Sequence, residues 1–262
     1  MASRRPRPYI SSMKIKIFPV LALGTLCLSQ IMTSTAFGQG ADLKPSPTED
    51  GFVSIFNGKD LSGWDGAPDL WSVKDGAITG QTTVEQPAKE NTFLIWTNGV
   101  VTNFELRCSF KLLPGDDAGF SNSGVQYRSR IVKPSYWVVS GYQADMENGT
   151  NYTGILYEEK ARGILATRGQ KVVVHPGNKK EVVGSVGDAQ EIEAAVKHGD
   201  WNDYIIIAAG NHLVQIVNGH VTVDITDEDE AAAAKSGIVA LQIHAGHPML
   251  TQFKNIRLKT LP

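Results

Sequence analysis

Three short segments of the sequence place planar, hydrogen-bonding side chains at alternate positions. These side chains are Gln126 and Arg128 in the first segment, Gln143, Asp145 and Glu147 in the second, and Gln242 and His244 in the third. Because side chains along a β-strand point alternately to opposite faces, each set shares one face, opposite apolar residues. A solvent-facing strand usually carries Lys, Glu and Thr, whereas amides, Arg, Asp and His are suited to directed hydrogen bonds. The pattern therefore favours a ligand-binding face over a plain solvent face.

Other candidate residues lie close to these segments. In residues 153–168, Tyr157 and Glu159 fall on one side of a strand, opposite Glu158. A surface Glu–Arg pair with Arg162, contributing about 1 kcal/mol or less, stays open as an alternative to a catalytic role. Two more residues are predicted to bind substrate, Asn122 before the first segment and His247 in a turn before Pro248. His247 either caps a loop or lines the rim of the site.

The sequence carries no metal-binding motif and no nucleotide-binding motif. His175, His198, His212 and His220 do not fall at ligand spacings, and no pair of cysteines is present in a metal-binding arrangement. A P-loop, a G-x-G-x-x-G fingerprint after a strand and a G-x-S-x-G elbow are also missing. No cofactor is therefore required by the sequence. A divalent metal held by oxygens of the polar face and His244 remains possible, although no spacing indicates one.

The elements that must position these side chains are predicted to be strands. Short apolar runs alternate with turn signals such as Asn57-Gly58 and Asn98-Gly99 throughout residues 51–262, which is typical of an all-β sandwich or barrel. Residues 103–112 alternate strictly, and this makes Cys108 a small core residue. Residues 212–224 form a hairpin around Asn218-Gly219. Helical pattern is limited to residues 189–197 and 227–235, so one or two short helices are expected.

The N-terminal residues differ from the rest of the chain. Five basic residues precede an apolar run from Ile17 to Leu28 and a small-residue site at Ala36-Phe37-Gly38, which is typical of a secretory signal peptide over residues 1–38. The run is too short to span a membrane. Cys27 lacks the small residue that should precede a lipidated cysteine. Residues 39–50 are interpreted as a polar linker, and residues 51–262 as a single domain.

Composition limits the classes of function. The 262 residues contain 25 Lys and Arg against 27 Asp and Glu. Removal of residues 1–38 takes away five basic residues and no acidic ones, so the mature chain carries 20 basic and 27 acidic side chains and a net charge of −7. That charge argues against a nucleic-acid-binding surface. A single remaining cysteine excludes an internal disulfide. We expect an exported protein, periplasmic or secreted, of undetermined oligomeric state.

A resemblance to a known family rests on several stretches that follow one another along the chain. They are FNGKDLSGW (56–64), W-x-V-x-D-G-x-I (71–78), FELRCSFKL (104–112), NSGVQYRS (122–129), GYQADM (141–146), TGILYEE (153–159), WNDY (201–204), VNG (217–219), ALQIHAG (240–246) and FKNIRLKTL (253–261). In these the chain resembles the 3-keto-disaccharide hydrolase domain family, formerly a domain of unknown function, within the concanavalin A-like lectin/glucanase sandwiches. The resemblance implies a two-sheet antiparallel jelly roll with a saccharide site on its concave sheet. It also implies cleavage of glycosides already oxidised to a ketone at C3.

The chemistry implied by that resemblance suggests roles for the candidate residues. A C3 ketone acidifies the proton at C2, so that a base can remove it and the group at C1 can leave by elimination, after which water adds back. We assign the base to Asp145 or His244, the acid to Glu159 and stabilisation of the enolate to Arg128. The residues predicted to orient or contact the sugar are Gln126, Gln143, Gln242, Tyr157, Glu147, Asn122 and His247.

One comparison separates this chemistry from ordinary glucanase chemistry. Retaining glucanases on similar sandwiches use a strand motif E-x-D-x-E, and residues 143–147 have the same spacing. Gln143 occupies the position of the nucleophile, and an amide cannot form the covalent glycosyl intermediate. The alternatives that remain are a saccharide-binding module without turnover and a structural or interaction domain of the cell envelope.

Overall fold

The computed structural model describes residues 51–262. The predicted signal peptide (1–38) and linker (39–50) lie outside the described residues. The strands are β1 (Val53–Ser54), β2 (Trp64–Asp65), β3 (Trp71–Lys74), β4 (Ala77–Gln81), β5 (Thr92–Trp96), β6 (Phe104–Pro114), β7 (Asn122–Lys133), β8 (Val138–Glu147), β9 (Leu156–Glu159), β10 (Gly163–Ala166), β11 (Gln170–His175), β12 (Lys179–Ser185), β13 (Asn202–Ala209), β14 (His212–Val217), β15 (His220–Asp227), β16 (Ile238–Ile243) and β17 (Met249–Thr260). One α-helix, α1, covers Ala189–Ala194, and a 3₁₀ turn covers Pro134–Tyr136.

The strands form two sheets that pack face to face. One sheet of ten strands has the order β12-β11-β15-β14-β13-β6-β17-β4-β3, with β1 paired to β17. The second sheet has seven strands in the order β10-β9-β8-β7-β16-β5-β2. All pairs between named strands are antiparallel except β11 with β15. The predicted all-β, two-sheet antiparallel sandwich is confirmed.

The strand patterns explain where the core lies. In β6 the residues Phe104, Leu106, Cys108, Phe110 and Leu112 are all buried and belong to one large apolar cluster between the sheets. Burial raises the pKa of the Cys108 thiol to about 12. The thiol is therefore protonated and acts as an apolar core group, as predicted.

The predicted hairpin is present, and one of the two predicted helices is not. Asn218 and Gly219 both have positive φ angles, 49° and 85°, and join β14 to β15, as a type I′ turn requires. The helix expected at 189–197 is α1, capped by the side chain of Asp188. The prediction of a helix at 227–235 is wrong, because Asp227 ends β15 and its carboxylate is paired with Arg162. Within residues 51–262, no helix has the length and apolar character needed to cross a membrane.

The seven-stranded sheet brings together the segments that carry the candidate residues. Strands β9, β8, β7 and β16 are consecutive neighbours, and β5 follows β16. Gln143 of β8 is in register with Gln126 of β7 and Tyr157 of β9. Because cross-strand partners share a face, the polar side chains converge on the side of this sheet that faces away from the ten-stranded sheet.

Candidate functional site

A cavity of about 250 Å³ lies on the polar face of the seven-stranded sheet. Its lining residues are Asn91, Phe120, Asn122, Gln143, Asp145, Tyr152, Ile155, Tyr157, Glu159, Ile164, Gln242 and His244. We refer to this cavity as the concave-face pocket. Seven of the residues predicted from the sequence line it, namely Asn122, Gln143, Asp145, Tyr157, Glu159, Gln242 and His244.

A glycine makes room for the floor of the pocket. Gly124 lies in β7, between Asp145 on β8 and β16 on the other side. A Cβ atom at this position would lie 2.5 Å from Cγ of Gln143, far closer than packing permits. The Gln143 side chain therefore crosses over β7 at Gly124, and its amide reaches Gln242 of β16, with Nε2 3.4 Å from Gln242 Oε1.

Asp145 is the most strongly perturbed acid of the pocket. Its side chain is buried, and it accepts hydrogen bonds from Asn122 Nδ2 at 2.9 Å and from Gln143 Nε2 at 3.2 Å. Burial raises the pKa of this carboxyl from 3.8 to about 7, although the two amide donors oppose the shift. A carboxylate with a pKa near neutrality can take up and release a proton under physiological conditions.

Glu159 forms a second acidic centre in the pocket. Asn91 donates a long hydrogen bond of 3.4 Å from Nδ2 to Glu159 Oε2, and Asn91 Oδ1 accepts from the backbone N–H of Ala245. Burial raises the pKa of Glu159, while the Asn91 bond, Lys160 and His244 lower it. A raised pKa increases the fraction of Glu159 that carries a proton to donate.

His244 is held by its own neighbour. Its Nδ1 lies 2.6 Å from the carbonyl oxygen of Ala245. Since a carbonyl oxygen only accepts, the neutral ring is assigned as the tautomer with the proton on Nδ1. Its Nε2 is then left with a lone pair. The ring packs edge-on against Phe120, with centroids 5.8 Å apart.

Glu147 positions a loop and does not line the pocket. Its Oε1 accepts hydrogen bonds from the backbone N–H groups of Asn151 and Tyr152, and its own N–H donates to Thr153 Oγ1. These contacts hold the loop that carries Tyr152 onto the rim. The sequence predicts that Glu147 binds substrate, whereas in the structure its carboxylate faces the backbone of residues 151–152.

Aromatic and apolar side chains surround the entrance to the pocket. Phe120, Tyr152, Tyr157 and Ile164 are partly or largely exposed and line it. Burial raises the pKa of Tyr157, and the negative charges of Glu159 and Asp145 raise it further, so its hydroxyl is a donor at neutral pH. His247 lies outside the lining, with its ring 5.9 Å from Phe120 and Nδ1 3.0 Å from Asp116 Oδ2.

The expectation that Arg128 shares the face of Gln126 is wrong. The register between β7 and β8 shifts between Tyr127 and Arg130, and Arg128 has φ +48°. Two residues of β7 therefore oppose one of β8, which is a β-bulge that breaks the alternation. The Arg128 guanidinium turns away from the concave-face pocket and donates to the backbone carbonyl oxygens of Thr102, Gly210 and Ala234.

Gln126 shares the polar face but does not line the pocket. Its side chain is fully buried and donates from Nε2 to Gln143 Oε1 at 2.7 Å, while its Oε1 accepts from Ser129 Oγ at 2.6 Å. It therefore orients Gln143, and the structure gives it no open path to a ligand.

The paired charges of residues 158 and 162 belong to the interior. Arg162 is bonded to Glu158 and to Asp227, and Tyr142 donates its hydroxyl to Asp227. The side chains of these ion pairs are at most 8% exposed, so the alternative of an exposed surface pair does not describe them. The network joins β8, β9 and β15 on the side of the sheet opposite the pocket, as the alternation of Glu158 and Glu159 predicts.

None of the five tryptophans in the described chain lines the pocket. Trp64 and Trp71 are core residues, and Trp96 and Trp137 pack against apolar clusters. Trp201 lies beside the amino groups of Lys111 and Lys254. The aromatic surface beside the polar groups comes from Phe and Tyr, which sequence reasoning did not single out, with the exception of Tyr157.

Four further lining residues were missed because they lie outside the strands. Asn91, Phe120, Tyr152 and Ile155 come from connecting segments, where no alternation indicates direction. Ile164, in β10, is an apolar residue in a strand that carried no polar pattern.

The acidic and histidine side chains of the pocket do not combine into a metal site. Within residues 51–262, no group of three or more His, Cys, Asp and Glu side chains is placed to hold a metal ion. Asp145 is bonded to two amides, and His244 Nδ1 is bonded to a carbonyl oxygen. The residues that line the pocket therefore do not form a ligand set for a metal ion.

Solved structures with a similar fold include two proteins from Parabacteroides distasonis ATCC 8503, each named provisionally as a glycosyl hydrolase. The first is 20% identical and covers 81% of this chain and 94% of its own, with a TM-score of 0.52. The second is 20% identical and covers 80% and 99%, with a TM-score of 0.53. The carbohydrate-binding module CBM66 from Bacillus subtilis is 10% identical and covers 76% and 96%, with a TM-score of 0.50. At these identities the likeness shows the fold.

A comparison with curated proteins returned no match. A family described as the 3-keto-alpha-glucoside-1,2-lyase-like domain matches residues 51–259, which include the whole sandwich except Thr260 at the end of β17, and every residue of the concave-face pocket. The chain therefore belongs to the 3-keto-alpha-glucoside-1,2-lyase-like domain family.

Proposed function

We propose that this protein is an exported carbohydrate-active enzyme that cleaves 3-keto-glycosides in the concave-face pocket. The reaction is a base-assisted elimination across C2 and C1, followed by addition of water. The observation that carries the proposal is that Asp145, Glu159 and His244 line one small pocket. Asp145 lies in β8, Glu159 ends β9 and His244 directly follows β16. Membership of the family supports the substrate class.

The proposed reaction begins with proton transfer from carbon. Asp145 removes the proton from C2, and the electron pair of that C–H bond moves onto the C3 oxygen as an enolate. The enolate then collapses to restore the ketone, C1=C2 forms, and the bond from C1 to the glycosidic oxygen breaks. Water adds at C1 and a proton returns to C2, so the net reaction is hydrolysis to the free 3-keto sugar.

Asp145 suits the base because its pKa lies near the working pH. A C–H bond beside a ketone is a weak acid, and a carboxylate with an ordinary pKa is a poor base for it. Raising the pKa of Asp145 to about 7 strengthens the base while keeping much of it ionised. Asn122 and Gln143 hold both carboxylate oxygens, which fixes the direction of the remaining lone pairs.

Glu159 is the proposed acid that protonates the departing oxygen. Its raised pKa keeps a proton available, and its bond to Asn91 orients the carboxyl group. His244 is the second candidate for the base, since its Nε2 has no hydrogen-bond partner within residues 51–262 in the tautomer that Ala245 selects.

The size and rim of the pocket support a small saccharide as ligand. A volume of about 250 Å³ is near the lower end of the range for ligand pockets, roughly 300–1,000 Å³. It suits one buried sugar ring with its leaving group at the entrance. Phe120, Tyr152 and Tyr157 offer faces on which apolar faces of a sugar can pack.

The alternative is a saccharide-binding module without turnover, because amides on the floor and aromatic rings at the rim also suit binding alone. Incubation of the purified protein with 3-keto-trehalose and 3-keto-lactose separates the two. The enzyme releases 3-keto-glucose from 3-keto-trehalose, and 3-keto-galactose from lactose oxidised at C3 of its galactosyl unit, and Asp145→Asn loses that release. Binding of the intact 3-keto sugar without any release would support the module and reject the enzyme.

Export is a part of the proposal that rests on residues 1–38 alone. The expected mature protein begins after Gly38 and is recovered from the periplasm or the medium. N-terminal sequencing of the recovered protein tests this, and a chain that retains residues 1–38 in the cytoplasm would contradict it.

A further inference from the structure

One donor in the concave-face pocket has no partner. Gln242 lies in β16 with no exposed surface, and its Nε2 forms no hydrogen bond. Among the side chains that line the pocket in residues 51–262, it is the one buried nitrogen or oxygen in this condition. A buried amide N–H without an acceptor is unfavourable, and such groups in folded proteins call for a reason.

The neighbouring side chains fix which end of the Gln242 amide is left over. Gln143 Nε2 points to Asp145 Oδ2 at 3.2 Å, because its carbonyl oxygen would be repelled by the carboxylate. The same Nε2 lies 3.4 Å from Gln242 Oε1. Gln242 therefore presents its oxygen to Gln143, and its Nε2 must point elsewhere.

The rest of the network reinforces this direction. Ser129 Oγ donates to Gln126 Oε1, and Gln126 Nε2 donates to Gln143 Oε1. From Ser129 to Gln242, each amide oxygen accepts from the side chain before it, and the nitrogens of Gln126 and Gln143 donate to the side chain after them. Reversing Gln242 would require reversing Gln143 and Gln126 as well, and would set an oxygen of Gln143 against the Asp145 carboxylate.

We infer that Gln242 is a catalytic residue whose Nε2 donates a hydrogen bond to the C3 oxygen of a 3-keto sugar and stabilises the enolate. This inference rests on the proposed function. Asp145 Oδ2 and Gln242 Oε1 both accept from Gln143 Nε2, so the side chains of the proposed base and of the proposed donor lie next to the same amide group. C2 and C3 are bonded neighbours in the sugar, and the arrangement places a base at one and a donor at the other.

Gln242 thereby takes the task that sequence reasoning gave to Arg128. When the C2–H pair moves onto the C3 oxygen, the negative charge develops at the acceptor of the Gln242 N–H bond. A fixed donor in a water-poor site stabilises such a charge more than it stabilises the neutral ketone. Gln242 transfers no proton, so the balance of the reaction is unchanged.

The experiment isolates enolate formation from departure of the C1 group. The probe is the 3-ketone of 1,5-anhydroglucitol, which has no exocyclic oxygen at C1. In deuterium oxide, the wild-type protein exchanges the C2 proton of this probe, as measured by NMR. Gln242→Met keeps the approximate shape and loses the donor. We expect its exchange rate at saturating probe to fall about 10²–10³-fold.

A matched control separates this effect from the loss of any buried amide. Gln252 of β17 is also buried and donates from Nε2 to Thr79 Oγ1, outside the pocket. Gln252→Met is expected to exchange the probe at the wild-type rate. If Gln242→Met unfolds, Gln242→Glu provides the second variant, since it retains an acceptor for Gln143 and places no donor on the enolate at alkaline pH.

The outcomes are distinct. Wild-type exchange with a loss in both Gln242 variants supports the inference. Wild-type exchange with an unchanged saturated rate in Gln242→Met, or a change in KM alone, overturns it and leaves the proposed function standing. A wild-type protein that neither exchanges C2 nor cleaves 3-keto-glycosides overturns the proposed function and the inference together.

Discussion

Replacement of Asp145 by Asn should affect activity and stability in opposite directions. The carboxyl group has its pKa raised from 3.8 to about 7 by burial. An acid with a raised pKa is favoured in its neutral form by the fold, so the wild-type protein loses stability as the pH rises from about 4 to 7. A shift of roughly three pH units, at about 1.4 kcal/mol each, gives a cost of about 4 kcal/mol for ionising this group in the folded state above pH 7.

The Asp145→Asn variant cannot ionise and escapes that cost. Part of the gain is lost because the amide nitrogen of the new asparagine is a donor. In the wild type, Gln143 Nε2 donates to the carboxylate at 3.2 Å, and two donors that face each other cannot form a hydrogen bond. In a domain of this size, 1 kcal/mol corresponds to roughly 2–4 °C in Tm. We expect the variant to melt several degrees above the wild type near pH 9, with the difference shrinking towards pH 5.

The activity of the same variant should fall, since it has no base. Loss of general-base catalysis lowers kcat/KM for a 3-keto-glycoside about 10²–10⁴-fold. In the wild type, kcat/KM should rise as the pH increases through about 7, when Asp145 becomes ionised. The assays are thermal unfolding and initial rates across this pH range. Asp203→Asn, an exposed acid of the ten-stranded sheet, is the control.

Two results would refute this reasoning. A variant with wild-type kcat/KM would remove Asp145 from the base role. A variant whose Tm follows that of the wild type at every pH would show that Asp145 is not a buried group with a strongly raised pKa.

Three further changes test other parts of the site. Glu159→Gln should lower kcat/KM about 10²–10⁴-fold for 3-keto-glycosides with sugar leaving groups and much less for nitrophenyl leaving groups, which need no acid; an equal loss for both would contradict the acid role. Arg128→Met should lower Tm by several degrees, because the buried guanidinium donates to three backbone carbonyl oxygens. Its steady-state kinetics should stay near wild type, and a large loss of kcat with an intact fold would contradict the placement of Arg128 outside the pocket. Tyr152→Ala should raise KM about 3- to 10-fold with little change in kcat, since an aromatic contact contributes roughly 1 kcal/mol; an unchanged KM in the same rate assay would exclude a contact with substrate.

The alternation of side chains along strands was sufficient to predict one face of the site. Gln143 and Asp145 in β8, and Tyr157 and Glu159 in β9, line the pocket because regular strands have a period of two. Glu147 continues the same pattern, but its side chain turns to the backbone of the following loop. Alternation predicts a face and does not predict what a side chain meets there.

Other features depended on information that is not local in the sequence. Arg128 does not lie on the predicted face, because a bulge inserts one residue into β7. The residue with the positive φ angle at this bulge is an arginine, and this bulky residue type does not signal a bulge in the sequence. Asn91 and Phe120 enter from connecting segments, whose course is set by the packing of the sheets. The helix predicted at 227–235 failed because Asp227 pairs with a distant arginine, Arg162.

In the proposed reaction, cleavage passes through removal of the C2 proton of a 3-keto sugar. The most direct measurement uses 3-keto-trehalose carrying deuterium at C2, with unoxidised trehalose in parallel. We expect release of 3-keto-glucose in which the C2 deuterium has been lost to water, and no cleavage of trehalose. Release of 3-keto-glucose with its C2 deuterium retained, or cleavage of trehalose at a comparable rate, would contradict it.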